Sequence, residues 1–128
     1  MYKARPDRPV TLPLTSLRLP LAGWVSFMHR VSGVLLFFSL PLALYALDRS
    51  LRGPEAFDAM LQQMAQPAVR ILLLLGVWAL AHHLFAGIRH LLMDLHFGVN
   101  LAAARRSALI VAIASGAVAL ITAWRLFA

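Results

Sequence analysis

Apolar positions fall into three long runs separated by short polar stretches. The first 20 residues are polar, basic and punctuated by Pro6, Pro9, Pro13 and Pro20; each ring removes an amide donor and restricts the residue before it. An extended arm over 1–20 follows. From Leu21 the pattern turns apolar, Val31 to Leu47 carries no charge, and with Ala22 to Met28 it gives a first membrane span over about 22–47. Pro41 inside it predicts a bend, which membrane helices tolerate when neighbours re-satisfy the freed carbonyl. Residues 48–70 hold Asp48, Arg49, Arg52, Glu55, Asp58 and Arg70 around a Gly53-Pro54 breaker and read as a loop. Ile71 to Ile88 is interrupted only by His82 and His83, and continuation to Met93 gives a second span over 71–93, about 34 Å long at helical rise. A third span covers 107–125, after Arg105 and Arg106. Its residues Ala108, Ala112, Gly116, Ala119 and Ala123 share one stripe where another helix can approach closely.

The pattern predicts an all-α chain, a single membrane-anchor domain over 1–128 with three transmembrane helices. Composition agrees: 61% of the residues are hydrophobic and 13% charged, whereas a soluble domain has about a quarter charged. Three spans leave no room for a separate catalytic domain. The 12 basic and 5 acidic residues would suit nucleic acid, but no base-reading module accompanies them. Their distribution instead sets orientation. Lys3, Arg5, Arg8, Arg18, Arg89, Arg105 and Arg106 fall on one side, against Arg49, Arg52, Arg70 and Arg125 on the other, which predicts a cytoplasmic N-terminus and a C-terminus on the far side. A cleaved secretory signal is not expected, because His29 and Arg30 interrupt the apolar stretch. With no cysteine, the chain supplies no disulfide, iron-sulfur or thiolate zinc site.

Ionisable residues within a span are costly and therefore candidates for chemistry. In the second span His83, Gly87 and His90 fall within an arc of about 60° at 100° per residue, facing one neighbour. His83 lies near mid-span, at a depth suited to an axial haem ligand, and Gly87 would let a flat macrocycle approach the backbone. Arg89 and His90 lie where propionates would reach the interface. The competing readings are a hydrogen bond across helices for His83, an inner boundary marked by Arg89 and His90, or a proton relay through the histidines. His82 is rotated 100° from His83, so the two cannot serve one iron. At the inner end of the first span Ser26, His29 and Arg30 stand at i, i+3 and i+4 on one face. Hydroxyl, imidazole and guanidinium together suit a quinone headgroup; the alternative is that His29 and Arg30 anchor the helix at the lipid interface. Asp94 reads either as a partner for a nearby arginine or as a solvated boundary charge, His96 as a loop residue at a partner contact, and Trp24 and Trp124 as interfacial anchors.

Taken together, Ser26-x-x-His29-Arg30-Val31-Ser32-Gly33 and His83-x-x-x-Gly87-Ile88-Arg89-His90-Leu91-x-x-Asp94 resemble the paired signatures of the cytochrome b subunit of succinate dehydrogenase, the larger hydrophobic anchor of the bacterial succinate:quinone oxidoreductase. The likeness continues through Arg8-Pro9-Val10, Arg18-x-Pro20, Pro54-Glu55-x-Phe57 and Arg106-Ser107-Ala108, over nearly the whole chain.

The resemblance implies a place in the bacterial cytoplasmic (inner) membrane, where the chain forms half of a haem-binding bundle. His83 would be an axial ligand of haem b, the other ligand coming from a second hydrophobic anchor subunit. Ser26 and Arg30 would belong to a ubiquinone site near the iron-sulfur subunit, and His29, Arg89 and His90 would surround the haem propionates. Succinate would be oxidised on a flavoprotein subunit. His82 departs from the pattern, since related sequences often carry an aromatic residue there; the spacing to Gly87 and His90 selects His83. An internal pairing of His29 with His83 on one iron is the weaker option. The rival functions are an anchor of a fumarate reductase and a small proton-conducting or transport protein lined by histidines.

Overall fold

The computed structural model describes residues 19–128; the arm residues Lys3, Arg5, Arg8 and Arg18, and the arm motif they belong to, lie outside the described residues. Four helices follow in order: α1 (Leu21–Ser50), α2 (Pro54–Met64), α3 (Pro67–Asp94) and α4 (Leu101–Phe127). Among the described residues there are no strands. The helices α1, α3 and α4 are long and apolar enough to cross a membrane, each outreaching the roughly 20 residues a bilayer needs.

The starts of the helices are written into the sequence. Pro20 is extended (φ −64°, ψ 160°) immediately before α1, as a proline with a fixed φ and no donor can be at no cost to the ladder. Pro41 sits inside α1 without ending it. After α1, Gly53 adopts φ 141°, a conformation that favours glycine, and Pro54 then occupies the first turn of α2 with Glu55 beside it. The stretch read as a loop thus contains a helix: Gly53-Pro54 breaks the chain but also starts the next element. Gln66-Pro67 repeats the device at the start of α3. Asn100 caps α4, its side chain accepting a hydrogen bond from the Ala103 amide at 2.8 Å. The cap places Arg105 and Arg106 inside the helix rather than before it.

Paired residues on α3 and α4 run in opposite directions, from Arg89 and Ser107 at one end through His82 and Ser115 to Arg70 and Leu126 at the other. At that last pair Arg70 Nη1 donates to the Leu126 carbonyl at 2.7 Å, satisfying one of the oxygens a helix C-terminus leaves open. The helix α2 joins α1 to α3 at this end, with Met60 buried.

The core is made of small side chains. Ala79, Ala86 and Ala108 are fully buried, with Val25 and Val111 close behind. In lipid the apolar exterior gains nothing by burial, so close packing and hydrogen bonds between helices hold the bundle. The seam of α4 runs through Ala108, Val111 and Ser115. It is offset from the predicted stripe, since a Cβ added at Gly116 would meet nothing within 4 Å. Phe37, Phe38, Leu120 and Ile121 are exposed, as are Trp24 and Trp124 near opposite ends of the bundle.

Candidate functional site

His83 leaves α3 toward α1. Its Nδ1 lies 3.1 Å from the backbone oxygen of His29 and 3.3 Å from Ser32 Oγ. A carbonyl only accepts, so Nδ1 carries the ring proton and donates. Ser32 is fully buried and its hydroxyl donates to the same oxygen at 2.8 Å. With a proton on Nδ1, Nε2 is the nitrogen open to a ligand, and among the described residues no hydrogen bond reaches it. An imidazole tied to a carbonyl at Nδ1 and open at Nε2 is the form that ligates a metal. Gly33 makes room for it: a Cβ there would stand 3.0 Å from His83 Cε1.

The two groups of polar residues, separate in the sequence, form one cluster. The His29 ring is sandwiched between two others. It stacks on His83 with centroids 4.2 Å apart and planes at 18°, and on His90 at 5.0 Å and 28°. Gly87 faces this stack, since an added Cβ would lie 3.5 Å from His29 Nε2. His90 Nδ1 donates to the Ala86 carbonyl at 2.6 Å, leaving Nε2 to accept from Ser26 Oγ at 3.3 Å. The Ser26 hydroxyl is therefore a donor with a base behind it. Arg30 is exposed and does not join the cluster.

The stack bears on two of the alternatives. Ligands on opposite sides of one iron point their nitrogens at each other, whereas His29 and His83 present ring faces to one another. Among the described residues no hydrogen bond joins one imidazole directly to another. Nor do any three His, Asp or Glu side chains among the described residues converge as metal ligands.

His82 and Arg89 point elsewhere. His82 is 4% exposed; Nε2 donates to the Val25 carbonyl of α1 at 3.3 Å and Nδ1 faces Ser115 Oγ of α4 at 3.3 Å. Its ring stacks on Trp78. Arg89 is 7% exposed and braces α4, with Nε donating to Ser107 Oγ at 3.0 Å and Nη2 to the Ala104 carbonyl at 3.3 Å. It also lines an apolar cleft of about 500 Å³ between α3 and α4 that none of the histidines touches. Among the described residues Asp94, at the end of α3, makes no ion pair, and the ion pair present is Asp48 with Arg52. His96 closes the helix end in a left-handed conformation at φ 65°. Three participants escaped sequence reasoning: Ser32, Gly33 as a contact of His83, and Ser115. For the first two the signal was present, because Ser32 and Gly33 lie one helical turn from His29.

Comparisons with known proteins place the chain in a family. The family described as succinate dehydrogenase/fumarate reductase transmembrane subunit matches residues 4–123. The chain is 38% identical over 109 residues to the succinate dehydrogenase cytochrome b556 subunit of Coxiella burnetii, covering 84% of this chain and 87% of that one. It is 35% identical to the subunit of the same name from Paracoccus denitrificans, over 80% and 79% of the two chains, and 31% identical to that of Rickettsia typhi, over 80% and 77%. A three-span apolar bundle and a match over nearly the whole length lead to one conclusion: the chain belongs to the family of succinate dehydrogenase/fumarate reductase transmembrane subunits, as a cytochrome b anchor.

Proposed function

We propose that this multi-pass membrane subunit binds haem b through His83 Nε2, with the second axial ligand supplied by a partner anchor subunit, and contributes Ser26 and Arg30 to a ubiquinone reduction site. The observation that carries the haem assignment is the His83 tautomer: Nδ1 donates to the His29 carbonyl and Nε2 is left open. The donor suits the group: an imidazole held at Nδ1 by the His29 carbonyl keeps Nε2 open among the described residues, with Gly33 giving the ring its room, and the His29 ring lies against the face of His83 rather than opposite its Nε2. When bound, haem b supplies a one-electron carrier within the bilayer.

At the quinone site the Ser26 hydroxyl, which otherwise donates to His90 Nε2 at 3.3 Å, would turn to donate to a carbonyl oxygen of the headgroup, and His90, once protonated at Nε2, would donate to Ser26 Oγ and replace the proton passed to the reduced quinone. Arg30, exposed on the neighbouring face of α1, adds a fixed positive charge that polarises the carbonyl. His29 stays between His83 and His90 and holds their spacing. Arg89, committed to Ser107 and Ala104, serves the propionates through its charge rather than by contact. Electrons arrive from an iron-sulfur subunit that receives them from a flavoprotein subunit, and the names of the relatives favour succinate oxidation over fumarate reduction. The arginine distribution supports a cytoplasmic N-terminus, in the inner membrane of a bacterium.

The test is co-purification of the untagged complex from its native membrane. A low-spin bis-histidine b-type spectrum is expected, lost in His83→Ala with the complex still assembled. A fully assembled complex without haem sinks the assignment.

A further inference from the structure

The histidine next to the proposed ligand has no part in the function so far. His82 is buried at 4% exposure, and burying an imidazole in a membrane bundle is costly unless both nitrogens find partners. Both have one within reach, on different helices: Nε2 donates to the Val25 carbonyl of α1, and Nδ1 faces Ser115 Oγ of α4, 2% exposed, whose one proton is shared between this nitrogen and the Val111 carbonyl at 2.8 Å. The Val25 oxygen also lies one helical turn from the His29 oxygen that holds His83. Two adjacent histidines of α3 therefore grip two successive carbonyls along the same helix. Ser26 with His90 and Ser107 with Arg89 hold α3 further along. Level with the proposed ligand, two bonds one turn apart on α1 and the contact with Ser115 on α4 set its rotation and height.

We infer that His82 is a positioning residue for the iron ligand: by tying α3 to Val25 and Ser115 it sets the direction in which His83 Nε2 points. The inference rests on the haem assignment to His83. It also accounts for a polar residue where an aromatic one would fill the space, because a ring without nitrogens packs against Trp78 but grips neither helix.

The experiment uses the complete complex with its haem, purified from cells expressing His82→Phe, His82→Gln or Ser115→Ala. The low-temperature EPR spectrum of the oxidised haem, its midpoint potential and the thermal stability of the complex are recorded for each. His82→Phe is expected to keep its haem but shift the highest g value and the midpoint potential, and to release haem about 10-fold more readily. His82→Gln, which can donate and accept, is expected to restore the wild-type spectrum. Ser115→Ala keeps the Val25 bond and is expected to give a smaller shift in the same direction, so a His82→Phe complex that fails to assemble leaves the question answerable. A lowered melting temperature with unchanged g values and potential in His82→Phe, or in Ser115→Ala if that alone assembles, overturns the inference and reduces His82 to packing. Absence of haem from the wild-type complex instead overturns the haem assignment and takes this inference with it.

Discussion

The imidazole of His29 lies flat on that of His83, with ring centres 4.2 Å apart and planes inclined by 18°. The contact joins α1 to α3 at the depth of the proposed iron site, yet what holds His83 in its tautomer is the backbone oxygen of His29 rather than its ring. The two histidines should respond differently to truncation. His83→Ala is expected to abolish haem binding, whereas His29→Ala retains the carbonyl and keeps axial ligation. Haem content per assembled complex, by pyridine haemochrome, separates them; equal loss in both would place the ligand elsewhere.

Gly33 and Gly87 offer a graded steric test. At Gly33 a methyl group meets His83 Cε1 at 3.0 Å, closer than real Cβ contacts come, and the ring must move. Gly33→Ala is expected to weaken haem retention about 10-fold. At Gly87 the nearest protein atom is 3.5 Å from the added carbon, so Gly87→Ala should leave thermal unfolding unchanged. Its haem content should hold as well, because the added carbon meets only the His29 ring, at ordinary contact distance. Loss of haem in Gly87→Ala with unchanged unfolding would show that the group itself reaches this glycine.

Removing a preorganised donor to a developing negative charge costs on the order of 100-fold in rate. Ser26→Ala and Arg30→Ala are therefore each expected to slow quinone reduction by about that factor while leaving succinate oxidation by an artificial acceptor untouched. Unchanged quinone kinetics in Arg30→Ala would return that residue to the lipid interface.

Much of this was legible in the sequence. The apolar runs located all three spanning helices, though the structure extends them to 21–50, 67–94 and 101–127, because capping by Asn100 and the Pro67 start lie outside the hydrophobic pattern. The helix α2 was missed because its residues alternate polar and apolar without a long run, and Gly53-Pro54 signals a break and a beginning alike. Periodicity brought His83, Gly87 and His90 to one face, and they do meet α1. It could not show which of two adjacent histidines turns inward between all three helices, since each is a plausible inward position until α4 is placed. Nor could it show that the Arg89 guanidinium is folded against α4, on Ser107 and the Ala104 carbonyl.

At the opposite end of the bundle, Arg70 donates to the carbonyl of Leu126 at 2.7 Å. A charged hydrogen bond of this kind, partly exposed, is worth about 1 kcal/mol. Arg70→Gln is expected to lower stability by that amount in detergent unfolding, with spectrum and activity unaffected; an unchanged midpoint would mean that the last turn of α4 holds itself.

His96 stands in the left-handed region with φ 65°, and its amide and that of Phe97 bond back to Met93 and Leu92, the pattern in which helices commonly end on glycine. His96→Gly is expected to stabilise the chain by up to about 1 kcal/mol, read as a shift in the same unfolding titration. A loss would mean that the exposed imidazole has a partner in the complex.

Two polar side chains of α3, His82 and Arg89, complete their hydrogen bonds only on α4. Spanning segments leave the ribosome in order, so α1 and α3 enter the membrane as a hairpin that still exposes an imidazole nitrogen and a guanidinium to lipid or translocon. The arrival of α4 quenches both at once. Without α4, one imidazole nitrogen and a guanidinium would lack these partners in lipid, where an unmet polar group costs several kcal/mol.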